Sequence, residues 1–440
     1  MKTNTVAPAP LTHEGAKAKR ITPEQMLRRS VMACMLWEDE FYESGETIAK
    51  RIAELVPRCS PEFVSATAIE ARTQMHLRHA PLWLAVAMCD HPAHRARLAL
   101  TLPAICLRAD EPAEFLAMYW KNGRRKVPAQ VKKGLAKAFQ RFNPYQLGKY
   151  NRDGAVRLRD ALFICHPKPT SPEQQEAWNK LVSGTLEAPD TWEVNLSAGK
   201  DKAETFIRLM AENKLGAMAL LRNLRNMIQS GVDEATIRQN LKATKAERVL
   251  PFRFIAAARA VPQLEDAIEE AMLRCLASFE KLPGKTAIVV DNSGSMMYRL
   301  SAKSDLSRID AACALAVIVR EVCEHALVIG FGSDAGIIPN RRGFALVDAI
   351  KRGPGGGTYT DHAINLANSQ GYDRIILITD EQSRTRYPDP LPGTRPYAIN
   401  VASARNGIGY GAWTHLDGWS EAIMQYIAES ESPNALPCTA

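Results

Sequence analysis

The residue types best suited to chemistry in this chain stand directly behind a short apolar run. Residues 286–290 (Thr-Ala-Ile-Val-Val) are typical of a buried β-strand, and Asp-Asn-Ser-Gly-Ser at 291–295 is typical of a tight turn. The turn offers one carboxylate and two hydroxyls at alternate positions, and Mg²⁺ prefers hard oxygen donors of this kind. The alternative is that Asp291 and Ser293 only cap the next helix, which is a common use of these residue types.

Two later segments are predicted to bring further oxygen donors to the sheet edge at which Asp291 lies. Thr358 follows a glycine run at 355–357 and precedes a helical pattern, and the apolar run 374–379 is a second buried strand that ends at Asp380. Ligands of open α/β sheets bind at the carboxyl ends of the strands, so Asp380 is predicted to lie beside Asp291. Together these segments predict a site for Mg²⁺ or another divalent cation such as Mn²⁺.

Catalytic uses of the same residues are less well supported. An aspartyl-phosphate phosphatase needs a second Asp two residues after the first, where this chain has Ser293. No Gly-Lys-Ser/Thr follows the glycine-rich stretch 353–357, and no Gly-x-Ser-x-Gly elbow stands out with a base partner. We therefore predict a binding protein with no catalytic residues. A metal-dependent hydrolase that uses Asp291 and Asp380 is the weaker alternative, because a general base is missing.

Composition favours a globular protein of two or more domains. The chain has 440 residues, of which 46% are hydrophobic and 24% charged. Its nine cysteines include no Cys-x-x-Cys pair and no zinc-ligand spacing with histidine, which favours reduced thiols. Residues 1–10 lack the apolar core of a signal peptide, and no apolar run reaches the length of a membrane span. A monomeric cytoplasmic protein is expected.

Positive charge is concentrated in the N-terminal part. Lys and Arg number 41 against 32 Asp and Glu in residues 1–280, but 15 against 16 in residues 281–440. Within residues 121–159, twelve basic residues stand against Asp153 alone. Such a density is typical of a surface that binds a polyanion. The alternative is a solvated helix face without a ligand.

Hydrophobic periodicity divides the chain at a Lys-Leu-Pro-Gly linker, residues 281–284. Before it the period is helical, which predicts a loose tail at 1–20 and an α-solenoid of degenerate helix pairs at 21–281. Beyond it, residues 285–440 alternate strands and helices, and this order predicts a doubly wound parallel sheet. The predicted elements are strands at 285–291, 326–331, 374–380 and 396–401, and helices at 305–324, 360–370 and 419–429.

The predicted metal ligands resemble a known family feature. The spacing Asp-x-Ser-x-Ser, a glycine loop with Thr and a strand-terminal Thr-Asp are similar to the metal-ion-dependent adhesion site of von Willebrand factor A domains. The resemblance implies that hydroxyls bind the metal directly, that some carboxylates act through water, and that one position is left for a carboxylate of a protein partner. Thr358 is preferred over Thr360 because it follows the glycine run directly. The ligands carried over are Asp291, Ser293, Ser295, Thr358 and Asp380.

Several N-terminal phrases resemble the TROVE module of the Ro60 family, a ring of HEAT-like helical repeats that binds small RNAs. Residues 219–224 match its Ala-Leu-Leu-Arg-Asn-Leu signature, and residues 159–169 and 149–152 are similar to two further stretches. A helical module followed by an adhesion-type A domain is the domain order of that family. The chain departs from it at Cys165, where Ser is usual, and at Arg152, which stands one place early.

The resemblance implies an RNA partner that is held in two ways. Y-type RNA would lie on the outer basic surface, and single-stranded ends of misfolded RNA would enter the positively charged ring. Lys149, Arg152 and His166 are carried over as RNA contacts. Charge density alone adds Arg124, Arg125, Lys126, Lys132 and Lys133. The prediction is therefore an RNA-binding protein of a small ribonucleoprotein, with a metal-dependent protein–protein adhesion scaffold without RNA as the alternative.

Overall fold

The structure is a computed structural model that describes residues 10–18, 20–32, 44–244, 249, 251–277, 279–300, 305–402, 404–418 and 422–431. The chain forms two compact units. We call the first the helical unit, which comprises Pro23–Trp37 and Glu46–Leu215. The second, the sheet unit, comprises Met1–Thr22, Glu38–Gly45 and Gly216–Ala440.

The helical unit is built from short helices joined by short turns. Several begin with proline in their first turn, where the missing N–H costs nothing. Side-chain caps mark other starts: Ser60 and Ser171 accept from the backbone N–H three residues on, and Asn143 completes a reciprocal capping box with Gln146. The helices are α1 (Pro23–Met32), α2 (Gly45–Leu55), α3 (Pro61–Thr73), α4 (His79–Met88), α5 (Pro92–Arg95), α6 (Leu98–Ile105), α7 (Glu111–Tyr119), α8 (Ala129–Phe139), α9 (Pro144–Tyr150), α10 (Leu158–Cys165), α11 (Pro172–Ser183), α12 (Trp192–Ser197) and α13 (Lys202–Ala211).

Close approach of α6 and α8 organises the centre of this unit. Gly134 makes it possible, because a Cβ at that position would lie 2.6 Å from the carbonyl oxygen of Leu98. Leu102, Leu135 and Phe139 are fully buried around the contact. The same helix turns three lysines away from this core: Lys133 and Lys137 are exposed and Lys132 is half-buried. The packing of α8 therefore places a basic face at the surface of the helical unit.

The described part of the sheet unit combines eight α-helices with a six-stranded sheet. Its strand order is β3-β2-β1-β4-β5-β6, and every pairing is parallel except that of β3 with β2. The strands are β1 (Leu282–Asp291), β2 (Cys323–Phe331), β3 (Ala335–Ile337), β4 (Arg374–Thr379), β5 (Arg395–Asn400) and β6 (Thr414–Asp417). Helices α14 (Ala217–Gln229), α15 (Glu234–Ala243), α16 (Pro251–Ala260) and α17 (Glu265–Leu276) precede the sheet, and α18 (Arg308–Val322), α19 (Gly343–Lys351), α20 (Thr360–Gln370) and α21 (Ala422–Glu431) follow β1.

The central strands are buried on both faces, as parallel strands covered by helices must be. All six residues of β4 are buried, and Val289 of β1 lies between Ile329 of β2 and Leu377 of β4. Helix α18 is buried over nearly its whole length against this sheet. The observed fold confirms the predicted class, a helical solenoid followed by a doubly wound, mostly parallel sheet. It adds β3, β6 and α19, which the apolar pattern did not predict.

Residues 10–18 form a small hairpin in the sheet unit. An antiparallel bridge joins Leu11 to Lys17, and Thr12 N donates to the carbonyl oxygen of Ala16 at 2.8 Å. Of the tail predicted at 1–20, this part is folded against the loop after β4, and residues 1–9 and 19 lie outside the described residues. Among the helices described, none is long and apolar enough to cross a membrane.

Candidate functional site

The candidate metal site lies where the strand order reverses. After β1 the chain moves to β2 on one side of it, and β4 later joins its other side, so the carboxyl ends of β1 and β4 border one crevice. Asp291 ends β1, Thr379 ends β4, and Asp380 follows β4 directly. Thr379 Oγ1 donates to Asp291 Oδ2 at 2.6 Å. The two strand ends therefore lie side by side, as the sequence predicts.

The turn after β1 gathers its oxygen donors around the Asp291 carboxylate. Ser293 N donates to Asp291 Oδ1 at 2.9 Å, and the hydroxyls of Ser293 and Ser295 are 3.3 Å apart. The glycine loop pairs with this turn through a parallel bridge from Ser293 to Gly356, and Gly294 N donates to the Gly356 carbonyl oxygen at 2.9 Å. Gly356 has φ +98°, a conformation that a larger residue rarely adopts. The loop that bears Thr358 is thus fixed to the Asp-Ser-Ser turn.

The two candidate threonines of the glycine loop differ in what their hydroxyls do. Thr360 Oγ1 donates to Ser383 Oγ at 2.9 Å. Thr358 is 3% exposed, and within the described residues its hydroxyl makes no hydrogen bond, although its carbonyl oxygen accepts from Ser383 Oγ and Arg384 N. This difference supports Thr358 as the residue with an oxygen to offer to a metal.

Electrostatics at this edge favour a bound cation. Asp291 and Asp380 are both fully buried. Burial, and then the neighbouring charge of Asp380, raise the pKa of Asp291 to about 7. Arg308, itself 2% exposed, places Nη1 3.6 Å from Asp380 Oδ2 and supplies one positive charge. One guanidinium against two buried carboxylates leaves room for a divalent ion.

The oxygen donors of this candidate site fit Mg²⁺ or Mn²⁺ better than a metal that prefers sulfur or nitrogen ligands. In the described part of the chain, no group of three or more His, Cys, Asp or Glu side chains is arranged to hold a metal ion. A metal at the crevice would therefore depend on serine and threonine hydroxyls together with carboxylates. Such all-oxygen sets suit hard cations that retain several waters.

Removing the buried positive charge of Arg308 is expected to have two opposite effects. In Arg308→Met, Asp380 loses its counter-charge, so the metal-free protein is expected to lose about 3 kcal/mol of stability. Mg²⁺ binds more tightly because the competing cation is gone, and the stabilisation gained from Mg²⁺ grows. Thermal unfolding with and without Mg²⁺ measures both effects. Arg308→Lys, which keeps the charge, is the control, and equal behaviour of the two variants would contradict this role.

Nothing in the sequence indicates a buried triad next to the candidate metal site. His415 Nε2 lies 2.9 Å from Glu381 Oε2, and His415 Nδ1 lies 3.4 Å from Asp417 Oδ2. Gly409 N also donates to Glu381 Oε1 at 2.7 Å, and the Tyr410 ring stacks on the imidazole with centroids 4.0 Å apart. The triad joins β6 to the residue that follows Asp380. No short motif signals it, because its three members come from separate segments.

This triad predicts a pH dependence of folding. Burial alone would lower the pKa of His415, but Asp417 and Glu381 outweigh it and raise the pKa to about 9. An unfolded histidine titrates near 6.5, so the stabilisation is complete below about pH 6.5 and is lost as the pH rises towards 9. Over this pH interval, we expect the free energy of unfolding of the wild type to fall by about 2 to 3 kcal/mol more than that of His415→Gln. Urea unfolding at pH 6, 7.5 and 9 checks it, and parallel pH profiles would exclude the mechanism.

In the helical unit, Lys149 and Arg152 lie around one exposed turn. Lys149 is in the last turn of α9, with Nζ 5.8 Å from the centre of the Tyr150 ring. Arg108 covers the same ring, with Cζ 4.5 Å from its centre. Arg152 is exposed and, together with Arg78, Arg108 and Tyr150, lines a cavity of about 270 Å³. Asp110, Glu114 and Asp153 line the same cavity, and Arg78 forms ion pairs with the first two. The cavity is therefore of mixed charge, and its aromatic ring suits an unstacked base more than a phosphate.

His166 lies at the end of α10 and is exposed, with φ +47° in the left-handed region. Its neighbour Cys165 is buried, which raises the pKa of that thiol to about 12, and the charge of Lys132 opposes this shift. Gln140, which caps α8, donates Nε2 to the Lys168 carbonyl oxygen at 2.9 Å. The loop that follows His166 is thus tied to α8, the helix that bears Lys132.

The remaining basic residues predicted from charge density differ in how far neighbouring groups compensate their positive charge. Arg125 forms an ion pair with Asp90 and lies with Cζ 4.0 Å over the Tyr119 ring, so part of its charge is neutralised. Arg124 lies 5.1 Å over the Trp120 ring. Lys126 and Lys133 are exposed. The five residues predicted from charge density lie in the loop before α8 and in α8 itself. They are Arg124, Arg125, Lys126, Lys132 and Lys133.

Comparison with known proteins matches this chain to one family model. Residues 176–315 match the model of the TROVE domain. The matched range includes Asp291, Ser293 and Ser295 of the candidate metal site, but ends before Thr358 and Asp380. It begins after the basic residues at 124–166.

Two curated relatives and one solved structure are also similar. Telomerase protein component 1 of Rattus norvegicus is 34% identical over 320 residues, which is 52% of this chain and 12% of the relative. The Mus musculus protein of the same name is 34% identical over 110 residues, covering 24% of this chain and 4% of the relative. The chain thus spans a small part of these relatives.

The crystal structure of the Deinococcus radiodurans RO (RSR) protein has a similar fold. It superposes with a TM-score of 0.60 at 19% identity, covering 93% of this chain and all of that one. The family-model match and the order of helical and sheet modules agree with the residues quoted from the sequence. Residues 176–315 thus match the TROVE domain, and the comparisons support the resemblance to the Ro60/TROVE family.

Proposed function

We propose that the protein is the RNA-binding component of a small ribonucleoprotein. The match of residues 176–315 to the TROVE domain supports this function. The observation that carries it is the basic surface of the helical unit, where residues 121–159 hold twelve cationic residues and a single acid. Each phosphate neutralised by Lys or Arg releases counterions, so a surface of this kind binds RNA without needing a particular sequence.

Two modes of RNA binding follow from this surface. Lys149, Arg152 and the α8 lysines would hold phosphates of a structured, Y-type RNA. His166 would donate to a phosphate or stack on an exposed base, and the Tyr150 ring beneath Arg108 suits the same kind of base. The ends of misfolded RNA, which are single-stranded, offer such unstacked bases.

The sheet unit would add a divalent-metal site to this RNA-binding protein. Asp291, Ser293, Ser295, Thr358 and Asp380 would hold Mg²⁺ or Mn²⁺, and the metal would supply an open position for a carboxylate of a protein partner. Support comes from the buried carboxylate pair and from the Thr358 hydroxyl, which makes no hydrogen bond within the described residues. We propose no catalytic role for the site, and we propose that the protein acts in the cytoplasm as a monomer.

Crosslinking the protein to RNA in its host, followed by sequencing of the attached RNA, tests the proposal. The account predicts a small set of structured RNAs, with crosslinks concentrated between residues 121 and 168. Recovery of structured small RNA and of aberrant RNA ends would identify the two modes separately. A preparation free of RNA, with a protein partner released by chelation of the metal, would instead favour the adhesion scaffold.

A further inference from the structure

Three consecutive residues of the N-terminal hairpin (residues 10–18) bind three consecutive residues of the loop after β4. Thr12 Oγ1 donates to the Ser383 carbonyl oxygen at 2.8 Å, and Thr12 is 5% exposed. His13 N donates to Gln382 Oε1 at 2.7 Å. Arg384 Nε donates to the Glu14 carboxylate at 2.7 Å. Nearly the whole chain separates the two segments in sequence.

The loop residues bound by the hairpin are those that hold two of the candidate metal ligands. Gln382 N donates to Asp380 Oδ1 at 3.2 Å. Ser383 Oγ and Arg384 N both donate to the carbonyl oxygen of Thr358, at 3.0 and 2.9 Å. Each of the three contacts therefore continues, through one residue, to Asp380 or to Thr358.

Internal hydrogen bonds also hold the hairpin together around the same threonine. Ala16 N donates to Thr12 Oγ1 at 3.0 Å, and Ala18 N donates to the Pro10 carbonyl oxygen at 2.8 Å. Ala16 and Ala18 are buried. Asn406 adds an anchor from the other side, since its Nδ2 donates to the Leu11 carbonyl oxygen at 3.1 Å. The Thr12 hydroxyl thus links the hairpin to the loop by accepting one hydrogen bond and donating another.

We propose that the N-terminal hairpin is a positioning element of the metal site, with Thr12 as its central residue. It holds residues 382–384 in place, and these hold Asp380 and Thr358 at the spacing the ion needs. This inference rests on the proposed metal site. A metal site binds more tightly when its ligands are already fixed before the ion arrives. When the ligands must be ordered on binding, the free-energy cost of ordering them lowers the affinity.

Thermodynamic linkage makes the effect reciprocal. If docking of the hairpin strengthens metal binding by some factor, metal binding strengthens docking of the hairpin by the same factor. A macromolecule that draws the N-terminal segment away would therefore weaken metal binding by the same factor. The hairpin couples the beginning of the chain to a site formed by residues 291–380.

The test compares Thr12→Val with Thr12→Ser in the full-length protein. Valine removes the hydroxyl at almost constant volume, whereas serine retains it. We expect Thr12→Val to weaken Mn²⁺ binding about fivefold to tenfold, as one or two hydrogen bonds are lost, and Thr12→Ser to bind as wild type does. Mn²⁺ binding is followed by electron paramagnetic resonance, and Mg²⁺ competition gives its affinity.

Amide hydrogen exchange of residues 10–18 provides the second measurement. Mg²⁺ should slow exchange in wild type and in Thr12→Ser, and less in Thr12→Val. If wild type binds Mn²⁺ but Thr12→Val binds it equally well and is protected equally, the hairpin does not position the site. If wild type binds no Mn²⁺, the metal site itself is wrong and the inference falls with it.

Discussion

Asp291→Asn is expected to abolish Mg²⁺ binding and at the same time to make the metal-free protein more stable. The pKa of Asp291 is raised to about 7 by burial and by the charge of Asp380, against an ordinary value of 3.8. Folding therefore opposes ionisation of this group, and the cost develops above about pH 4 and is complete above about pH 7. Asparagine removes the charge and keeps an oxygen that can accept from Ser293 N.

The expected size of this effect follows from the same shift. At pH 8, metal-free Asp291→Asn should be more stable than wild type by about 2 to 4 kcal/mol. Its Mg²⁺ affinity should fall by more than about a hundredfold, because the ion loses one of two carboxylates. Urea unfolding with and without Mg²⁺ gives both quantities. Asp348→Ala is the matched control, since Asp348 is 63% exposed on α19.

Two outcomes would contradict this interpretation of the crevice. Loss of stability in metal-free Asp291→Asn would mean that the carboxylate serves the fold and not an ion. Retention of Mg²⁺ binding would place the metal elsewhere. RNA binding should be unchanged in this variant, because every RNA contact we propose lies in the helical unit. Equal loss of metal and RNA would show that the site is structural.

The second large effect is expected in the helical unit. The double variant Lys149→Ala, His166→Asn should bind RNA about tenfold to a hundredfold more weakly at fixed salt, because two charge-assisted or stacking contacts are lost. Asparagine is used at position 166 because this residue has φ +47°, where asparagine is tolerated better than alanine. Electrophoretic gel shift with structured small RNA measures the affinity.

A matched lysine in the same unit controls for the loss of charge. Lys180 lies on α11 and pairs with Glu176 at 2.8 Å, so its charge is already compensated. Lys180→Ala should bind RNA as wild type does, and circular dichroism should show every variant folded. If Lys149→Ala, His166→Asn binds RNA with wild-type affinity, these residues are not RNA contacts. If Lys180→Ala weakens binding equally, net charge alone sets the affinity.

The sheet and the meeting of Asp291 and Asp380 at one of its edges could be predicted because their signals are local. Two apolar runs that each end in Asp, at 291 and at 380, suffice to place both carboxylates at one edge of a parallel sheet. Elements too short for a periodic pattern were not predictable. Strand β3 has three residues and β6 has four, fewer than such a pattern needs.

What could not be predicted depends on partners distant in sequence. Arg308 follows a serine-rich stretch and resembles an ordinary surface arginine, yet its guanidinium is buried beside Asp380, 72 positions along the chain. His415 is an isolated histidine in the sequence, and its partner Glu381 lies 34 positions earlier. Thr12 bonds to Ser383, 371 residues away. Neither composition nor spacing indicates such pairs, because only the folded chain brings them together.

The salt dependence of RNA binding by the wild-type protein tests the central claim most directly. If the basic surface of the helical unit holds phosphates, the logarithm of the association constant falls linearly with the logarithm of salt concentration. With six to ten phosphate contacts, affinity should drop by about 10³- to 10⁵-fold between 50 and 200 mM salt. Failure to bind RNA even at the lower concentration, or an affinity that does not change with salt, would contradict the account.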